Sequence, residues 1–382
     1  MNPQLTYAMI GGGTGAFIGE IHRRAISLDG RARLVCGAFS STPERSQQSG
    51  AQLGISPERS YADYLSLFRE EAARDDRPDF ISIVTPNDTH FPIAKAALEH
   101  GFHVVLDKPA THTSEQAREL AAIAKSNNLM CIVTYNYTGY PMVRQARAMV
   151  RDGVLGSIRK VFVEYHQGWL SAPIESNKQK QASWRVDPSR AGLGGAIGDI
   201  GSHAENLASF VSGLEIESLR AELHSFVDGR PLDDDASVSI RYQGGAHGLL
   251  TASQICIGES NNLSLRIYGD KGSIRWNQET PNELQYTELD KNPTLYTRGG
   301  PGLHEDAVES TRTPAGHPEG YIEGFSNIYR SVIDLILSQT TGATPSPLTA
   351  LLPTIDDGLR GVRFIEKAVE SSAKDSRIQW TS

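Results

Sequence analysis

The chain has 382 residues, a formal charge of −8, and 39% hydrophobic and 21% charged residues. That length suits two domains, the composition is that of an ordinary globular protein rather than a disordered one, and the acidic balance argues against a nucleic-acid partner. No apolar run is long enough to span a bilayer, and the first one leads into glycines with no signal-peptide pattern, so we expect a cytoplasmic protein with no membrane contact.

The first half reads as alternating strand and helix. Leu5–Ile10 is a buried strand ending in glycines, and Ala16–Leu28 follows with apolar residues at helical spacing. Leu34–Phe39 is a strand, Pro43–Leu53 a helix with Pro near its start, and Tyr61–Glu71 is amphipathic. Then come strand Phe80–Val84, helix His90–Glu99 stopped by Gly101, strand His103–Leu106, helix Ser114–Ser126 and strand Met130–Thr134. This pattern predicts a doubly wound parallel sheet of Rossmann type over residues 1–138, binding its ligand beyond the carboxyl ends of the strands.

Residues 139–382 read differently. Pro141–Arg151 is a bridging helix ended by Asp152-Gly153. Six strands follow, Ile158–Tyr165, Leu219–Val227, Ala236–Tyr242, Gly248–Ile255, Ser264–Tyr268 and Ser273–Trp276, with helices Gly194–Phe210 and Gly320–Leu337. They predict a second, α+β domain on one large, mainly antiparallel sheet.

The turn after the first strand carries Gly11, Gly13, Thr14, Gly15 and Ala16, with Phe17 and Ile18 opening the helix. Glycines admit a pyrophosphate close to the backbone, and the helix offers free N–H groups and a positive dipole end. Two fingerprint frames fit, Gly11-x-Gly13-x-x-Ala16 and Gly13-x-Gly15-x-x-x-Gly19. An NAD(P) cofactor is the functional reading; a strand–turn–helix without a ligand is the bland one. The second strand ends at Ser40 where an acid would hold a ribose diol. Ser40, Ser41 and Arg45 can instead bind a 2′-phosphate, which favours NADP over NAD, although Ser41 or Thr42 can equally cap the next helix.

Alcohol oxidation needs a base for the hydroxyl proton and suits a cation beside the oxygen. Lys108 stands at a strand end, while Asp199 and His203, four apart on the expected helix, share a face. Lys108 can also be a solvated loop lysine, Asp199 a helix cap and His203 a structural histidine. Trp184 and Arg185 can wall the cofactor or simply pack, and His317 can face a hydroxylated ligand or cap the helix after it. Tyr137 is a further candidate substrate contact. Asp233-Asp234-Asp235 reads as a solvated turn rather than a metal site, and the three dispersed cysteines, Cys36, Cys131 and Cys256, read as small buried hydrophobes, so no metal is expected.

The Gly-rich opening, Thr85-Pro86-Asn87-Asp88-Thr89-His90, Asp107-Lys108-Pro109 and Gly198-Asp199-Ile200-Gly201-Ser202-His203 together resemble the Gfo/Idh/MocA family of oxidoreductases, over almost the whole chain. The resemblance implies a reversible NAD(P)-dependent dehydrogenase of a sugar or cyclic polyol. Lys108 would bind the hydroxyl, His203 would be the acid/base and Asp199 its partner in the pocket. Thr85, Pro86, Asn87, His90 and Asn136 would line the cofactor, with Asp107, in place of the family's Glu, on the ribose. It also implies that residues 139–382 form a substrate-binding and oligomerisation domain on an open sheet, in a homodimer or homotetramer. A non-catalytic redox sensor, and an oxidoreductase that retains its cofactor and passes hydride between two sugars, remain alternatives on the same fold.

Overall fold

The computed structural model describes residues 4–177 and 179–380. The chain divides into two compact units, Met1–Asn136 with Tyr321–Leu359, and Tyr137–Gly320 with Arg360–Ser382.

The first unit is built on five parallel strands: β1 (Leu5–Gly11), β2 (Ala32–Ala38), β3 (Phe80–Val84), β4 (His103–Leu106) and β5 (Cys131–Val133), in the order β2-β1-β3-β4-β5. Consecutive helices are α1 (Phe17–Ser27), α2 (Pro43–Gln52), α3 (Tyr64–Ala72), α4 (His90–Glu99) and α5 (Ser114–Ser126). Asp63 caps α3, accepting the Ser66 N–H at 2.8 Å, which starts that helix later than its amphipathic pattern suggests. All five residues of β3 are buried, as a parallel sheet covered on both faces requires.

One apolar layer joins that sheet to Leu67, Phe68, Ile93, Leu98 and Leu120 of α3 to α5. The opposite layer holds Ala25 and Ile26 of α1 with Phe325, Ile328, Tyr329, Val332 and Ile333 from a helix far along the chain, Tyr321–Thr341. The Tyr329 hydroxyl lies 2.6 Å from Nδ1 of buried His22 and 3.0 Å from the Ser82 hydroxyl. The sequence reading placed Tyr321–Leu359 with the second domain. It joins the first unit because α1 leaves sheet surface that a parallel sheet must cover.

In the second unit, α6 (Pro141–Arg151) leads to a nine-stranded sheet. Its strands are β6 (Ile158–His166), β7 (Ile216–His224), β8 (Asp235–Tyr242), β9 (His247–Ser253), β10 (Asn262–Gly269), β11 (Gly272–Asn277), β12 (Glu283–Glu288), β13 (Thr294–Thr297) and β14 (Ile378–Gln379). The order is β13-β12-β11-β10-β6-β9-β8-β7-β14, antiparallel at every pairing except β6 with β9. Alternate residues such as Val161, Val163 and Tyr165 face the core with α6 and α9 (Ser202–Ser212). Phe162, Leu249 and Tyr268 lie on the other face. Short helices α7 (Lys180–Arg185), α8 (Pro188–Ala191) and α10 (Glu305–Ser310) fill the connections, α11 is Tyr321–Thr341, and α12 (Ile355–Lys374) begins in the first unit and ends in the second.

Two sequence expectations shift here. The strand expected at Leu219–Val227 stops at His224, because Asp234 takes the N–H groups of Phe226 and Val227 at 2.8 and 3.0 Å and draws the chain off the sheet. The helix expected from Gly194 begins instead as a π-helical turn, Ile197–Gly201. Cys36 and Cys131 are buried as expected, whereas Cys256 is half-buried. Among the described residues, no helix is long and apolar enough to cross a membrane.

Candidate active site

In the first unit the chain reverses direction across the sheet between β1 and β3, where open α/β sheets bind ligands. Gly11, Gly12 and Gly15 have φ of +82°, +69° and +78°, which only glycine adopts freely. A Cβ on Gly19 would lie 2.3 Å from the Gly12 Cα, so these two glycines let α1 pack against the turn. The packing glycine of the fingerprint is therefore Gly19, in the looser of the two frames. Gly13 is held by the Phe39 carbonyl at 3.1 Å, and the Thr14 N–H by the Ser49 hydroxyl at 3.1 Å. Ala16 precedes α1 with no side-chain cap, which leaves the first N–H groups of that helix for an anion. A cleft of about 400 Å³ opens there, lined by Gly13–Phe17, Glu20, Arg23 and Gln52, and Ile18 is half-buried beside it.

Neighbouring strand ends complete this rim. Ser40 is half-buried, and Ser41 and Arg45 are exposed, at the end of β2 and the start of α2. Thr42, the residue before α2, makes no side-chain cap. A Cβ on Gly11 would meet the Thr85 methyl at 2.8 Å, which sets Thr85-Pro86-Asn87 directly against the glycine turn. Asp107 accepts the Lys108 N–H at 2.9 Å and the Thr134 hydroxyl at 3.0 Å through one oxygen. Lys108 is half-buried and Asn87 buried. His90 is fully buried, with Nδ1 2.8 Å from the Pro109 carbonyl and Nε2 2.9 Å from the Thr85 carbonyl. It thus ties the Thr85 loop to the Lys108 loop from behind. Burial pushes its pKa down while the Asp107 charge opposes this.

Two polar atoms on this rim test the fit of a dinucleotide. The Thr85 hydroxyl and the Asn136 side-chain nitrogen are buried and have no hydrogen-bond partner among the described residues. Leaving such a group unpaired costs about 1–3 kcal/mol. A ligand rich in hydroxyl and amide groups, seated on the glycine turn, would satisfy both, so the residues present fit a nicotinamide dinucleotide.

The second unit assembles a different cluster. His203 opens α9, is 8% exposed, and meets the Tyr137 ring edge-on at 5.0 Å between centroids, with Tyr165 at 6.3 Å. The Tyr137 and Tyr165 hydroxyls are 2.6 Å apart, and Tyr165 donates to Asn261 Oδ1 at 2.8 Å. Gln167 donates to the same oxygen at 2.7 Å and receives the Trp169 indole N–H at 2.9 Å. Tyr137 thus backs His203 with its ring and engages its hydroxyl in this network. Asp199, on the π-helical turn, accepts Arg185 Nε and Gln254 Nε2 on one oxygen, both at 2.9 Å. The Arg185 guanidinium lies 4.3 Å from the Trp184 ring and 5.8 Å from Trp169. Arg185 thus pairs with Asp199 and packs on Trp184.

His317 is exposed, in a loop whose backbone is clamped by Arg298: this side chain donates to the carbonyls of Thr313, Pro314 and His317 and pairs with buried Glu319 at 3.0 Å. The aspartate run is not a solvated turn. Asp234 is 2% exposed and pairs with Arg230, and Asp233 turns its carboxylate onto backbone N–H groups. Sequence reasoning missed Gln254, Tyr165 and Asn261. Gln254 and Asn261 stand as polar residues at the ends of strands, and nothing singles out Tyr165.

Comparison with known proteins gives a consistent picture. Residues 5–146 match the model of an oxidoreductase family with an NAD-binding Rossmann fold, and residues 143–275 match the GFO/IDH/MocA C-terminal domain. An uncharacterized oxidoreductase of Bacillus subtilis is 36% identical over 97% of this chain and 95% of its own length. Levoglucosan dehydrogenase of Pseudarthrobacter phenanthrenivorans is 27% identical over 98% of this chain and 97% of its own. The crystal structure of an inositol dehydrogenase homologue from Azotobacter vinelandii, complexed with NADH and myo-inositol, superposes with a TM-score of 0.91 at 38% identity, covering 100% of this chain and 98% of that one.

Proposed function

The chain belongs to the Gfo/Idh/MocA family of oxidoreductases, and from that premise we propose that it is an NAD(P)-dependent dehydrogenase of a neutral sugar or cyclic polyol. The observation that carries this reading is the Asp199 cluster. A carboxylate held by Arg185 and Gln254 sits four residues before a histidine that is packed against two tyrosines. Polyhydroxylated ligands are bound by such amides, carboxylates and aromatic faces. The pairing of Arg185 with Asp199 leaves that cation neutralised, which supports an uncharged substrate.

In this proposal Lys108 holds the reacting hydroxyl and lowers its pKa by its charge. His203 takes the hydroxyl proton, and Asp199 fixes the substrate and the electrostatics around the imidazole. Asp107 orients Lys108 through its backbone N–H. Gly11–Ile18, Thr85-Pro86-Asn87 and Asn136 would hold the dinucleotide, with His90 as support behind Thr85. The bound nicotinamide supplies the hydride acceptor.

We propose NADP ahead of NAD. Strand β2 ends without an acid, Arg45 is exposed, and Thr42 does not use its hydroxyl as a cap. The NADH bound in the similar inositol dehydrogenase homologue supports the opposite choice. We also propose a homodimer or homotetramer formed through the open sheet face that carries Phe162, Leu249 and Tyr268.

Calorimetric titration of cofactor-stripped protein with NADP and NAD separately, followed by a panel of sugars and cyclitols, tests this reading. Tighter NADP binding, weakened by Arg45→Ala, is expected. Tighter NAD binding assigns Ser40, Ser41 and Arg45 no phosphate role, and binding of neither defeats the dehydrogenase reading. With an active substrate, His203→Ala should lower turnover about 10²- to 10⁴-fold and leave cofactor affinity within about twofold.

A further inference from the structure

We infer that Asp233 is a positioning residue, whose carboxylate sets the turn that presents Asp199 and His203. Its two oxygens accept the backbone N–H groups of Gly195 and Ile197, each at 2.7 Å, and its carbonyl accepts the Ala196 N–H at 2.8 Å. Three consecutive donors at the entrance of the π-helical turn Ile197–Gly201 are thereby fixed by one residue. Helix entrances leave such donors unsatisfied within the helix itself, and a side chain 36 to 38 positions away supplies the acceptors here.

The fit is close. A Cβ on Gly195 would lie 2.0 Å from the Asp233 carbonyl oxygen, so the turn and the aspartate can meet only through glycine. The Asp199 N–H then bonds back to the Gly195 carbonyl at 2.8 Å, which carries the placement of Gly195 to the backbone of Asp199. The neighbouring residue reaches the same carboxylate by another route. The Asp234 carbonyl accepts the Gln254 N–H at 2.9 Å, and the Gln254 side chain donates to Asp199. The entry to β8 thus sets both the backbone of Asp199 and one of its side-chain partners. The Asp234 carboxylate is directed elsewhere, to Phe226, Val227 and Arg230.

This inference rests on the proposed roles of Asp199 and His203, and its test separates the two. Asp233→Asn keeps the volume of the side chain but sets an NH₂ group against one of the two N–H donors. Amide hydrogen exchange across 194–203 should quicken tenfold or more, with the other peptides of the second unit unchanged. On a working substrate kcat should fall at least tenfold and the isotope effect with C-deuterated substrate should rise, while the dissociation constant of the cofactor stays within about twofold. Asp233→Glu, which keeps both acceptors on a longer arm, carries the same readouts if the Asn variant does not fold. Asp234→Asn should not change exchange across 194–203. Wild-type exchange and wild-type kcat in folded Asp233 variants would overturn the inference, as would equal acceleration in Asp234→Asn. Absence of turnover by the wild-type protein on every sugar and polyol would instead defeat the proposed function, and exchange alone would then decide whether Asp233 holds the turn.

Discussion

The glycine turn of the first unit and the π-helical turn of the second both set candidate site residues at the start of a helix, and they are made in opposite ways. The first is a local construction. Gly11, Gly12, Gly15 and Gly19 lie within nine residues of one another, and their conformational freedom and lack of side chains set the path of the turn, with Phe39 and Ser49 adding one hydrogen bond each. The second is assembled from a distance. Asp199 depends on Arg185, Gln254 and Asp233, which the chain delivers from a short helix, the end of β9 and the entry to β8. A locally determined site announces itself as a motif. A site held by remote side chains shows only its candidate reactive residues.

Substitutions can separate these two designs. The largest effect should come from Gly19→Val in the first. Its Cβ meets the Gly12 backbone, which cannot give way as a flexible side chain would, and forced repacking of this kind costs about 1–3 kcal/mol, with the second branch adding to it. A melting point lowered by several degrees, together with a cofactor dissociation constant raised at least tenfold, is the expected result in calorimetry. In the second design the corresponding break is Gln254→Leu, which removes a hydrogen bond to a charged group, typically worth about 1.5–3 kcal/mol. Turnover should drop roughly tenfold or more with cofactor binding intact, because nothing in the glycine turn depends on Gln254.

A smaller, pH-dependent effect belongs to Asp233. Burial raises its carboxyl to about 6, against the pull of the Ile197 and Gly195 N–H groups, with the charge of Asp234 adding to the rise. The folded chain therefore binds a proton at this site that the unfolded chain has released between about pH 4 and 6. The stability it contributes is full below the unfolded pKa and is lost as pH rises through 6. Urea unfolding of wild type and Asp233→Asn at pH 4.5 and 7 should show the wild type losing on the order of 1–2 kcal/mol relative to the variant.

Much of the first sheet is legible in the sequence because each strand is a continuous apolar run bounded by Gly, Pro or Asn. Phe80–Val84 and His103–Leu106 have the same limits in sequence and structure. Strands β12 and β13 carry few buried side chains, so their residues give no alternation to read. Helix α12 does have apolar residues at helical spacing, Ile355, Leu359, Val362 and Ile365, but they are diluted by charge and lie beyond the strand-rich region. At the candidate site, Lys108, Asp199 and His203 are recognisable by residue type and spacing. Tyr137 is singled out with them, but Tyr165 and the amides around them are not, because nothing local requires them.

The helix Tyr321–Thr341 gives this architecture a consequence for synthesis. The sheet of the first unit is encoded before residue 136, yet one of its apolar faces waits for Phe325, Ile328 and Tyr329. While the ribosome translates nearly all of the second unit, the nascent first unit holds an uncovered greasy layer, the kind of surface that chaperones engage and that drives aggregation. A gene fragment ending near residue 138 would encode every strand of that sheet but only part of its covering, and would be a poor choice for expressing the glycine turn alone.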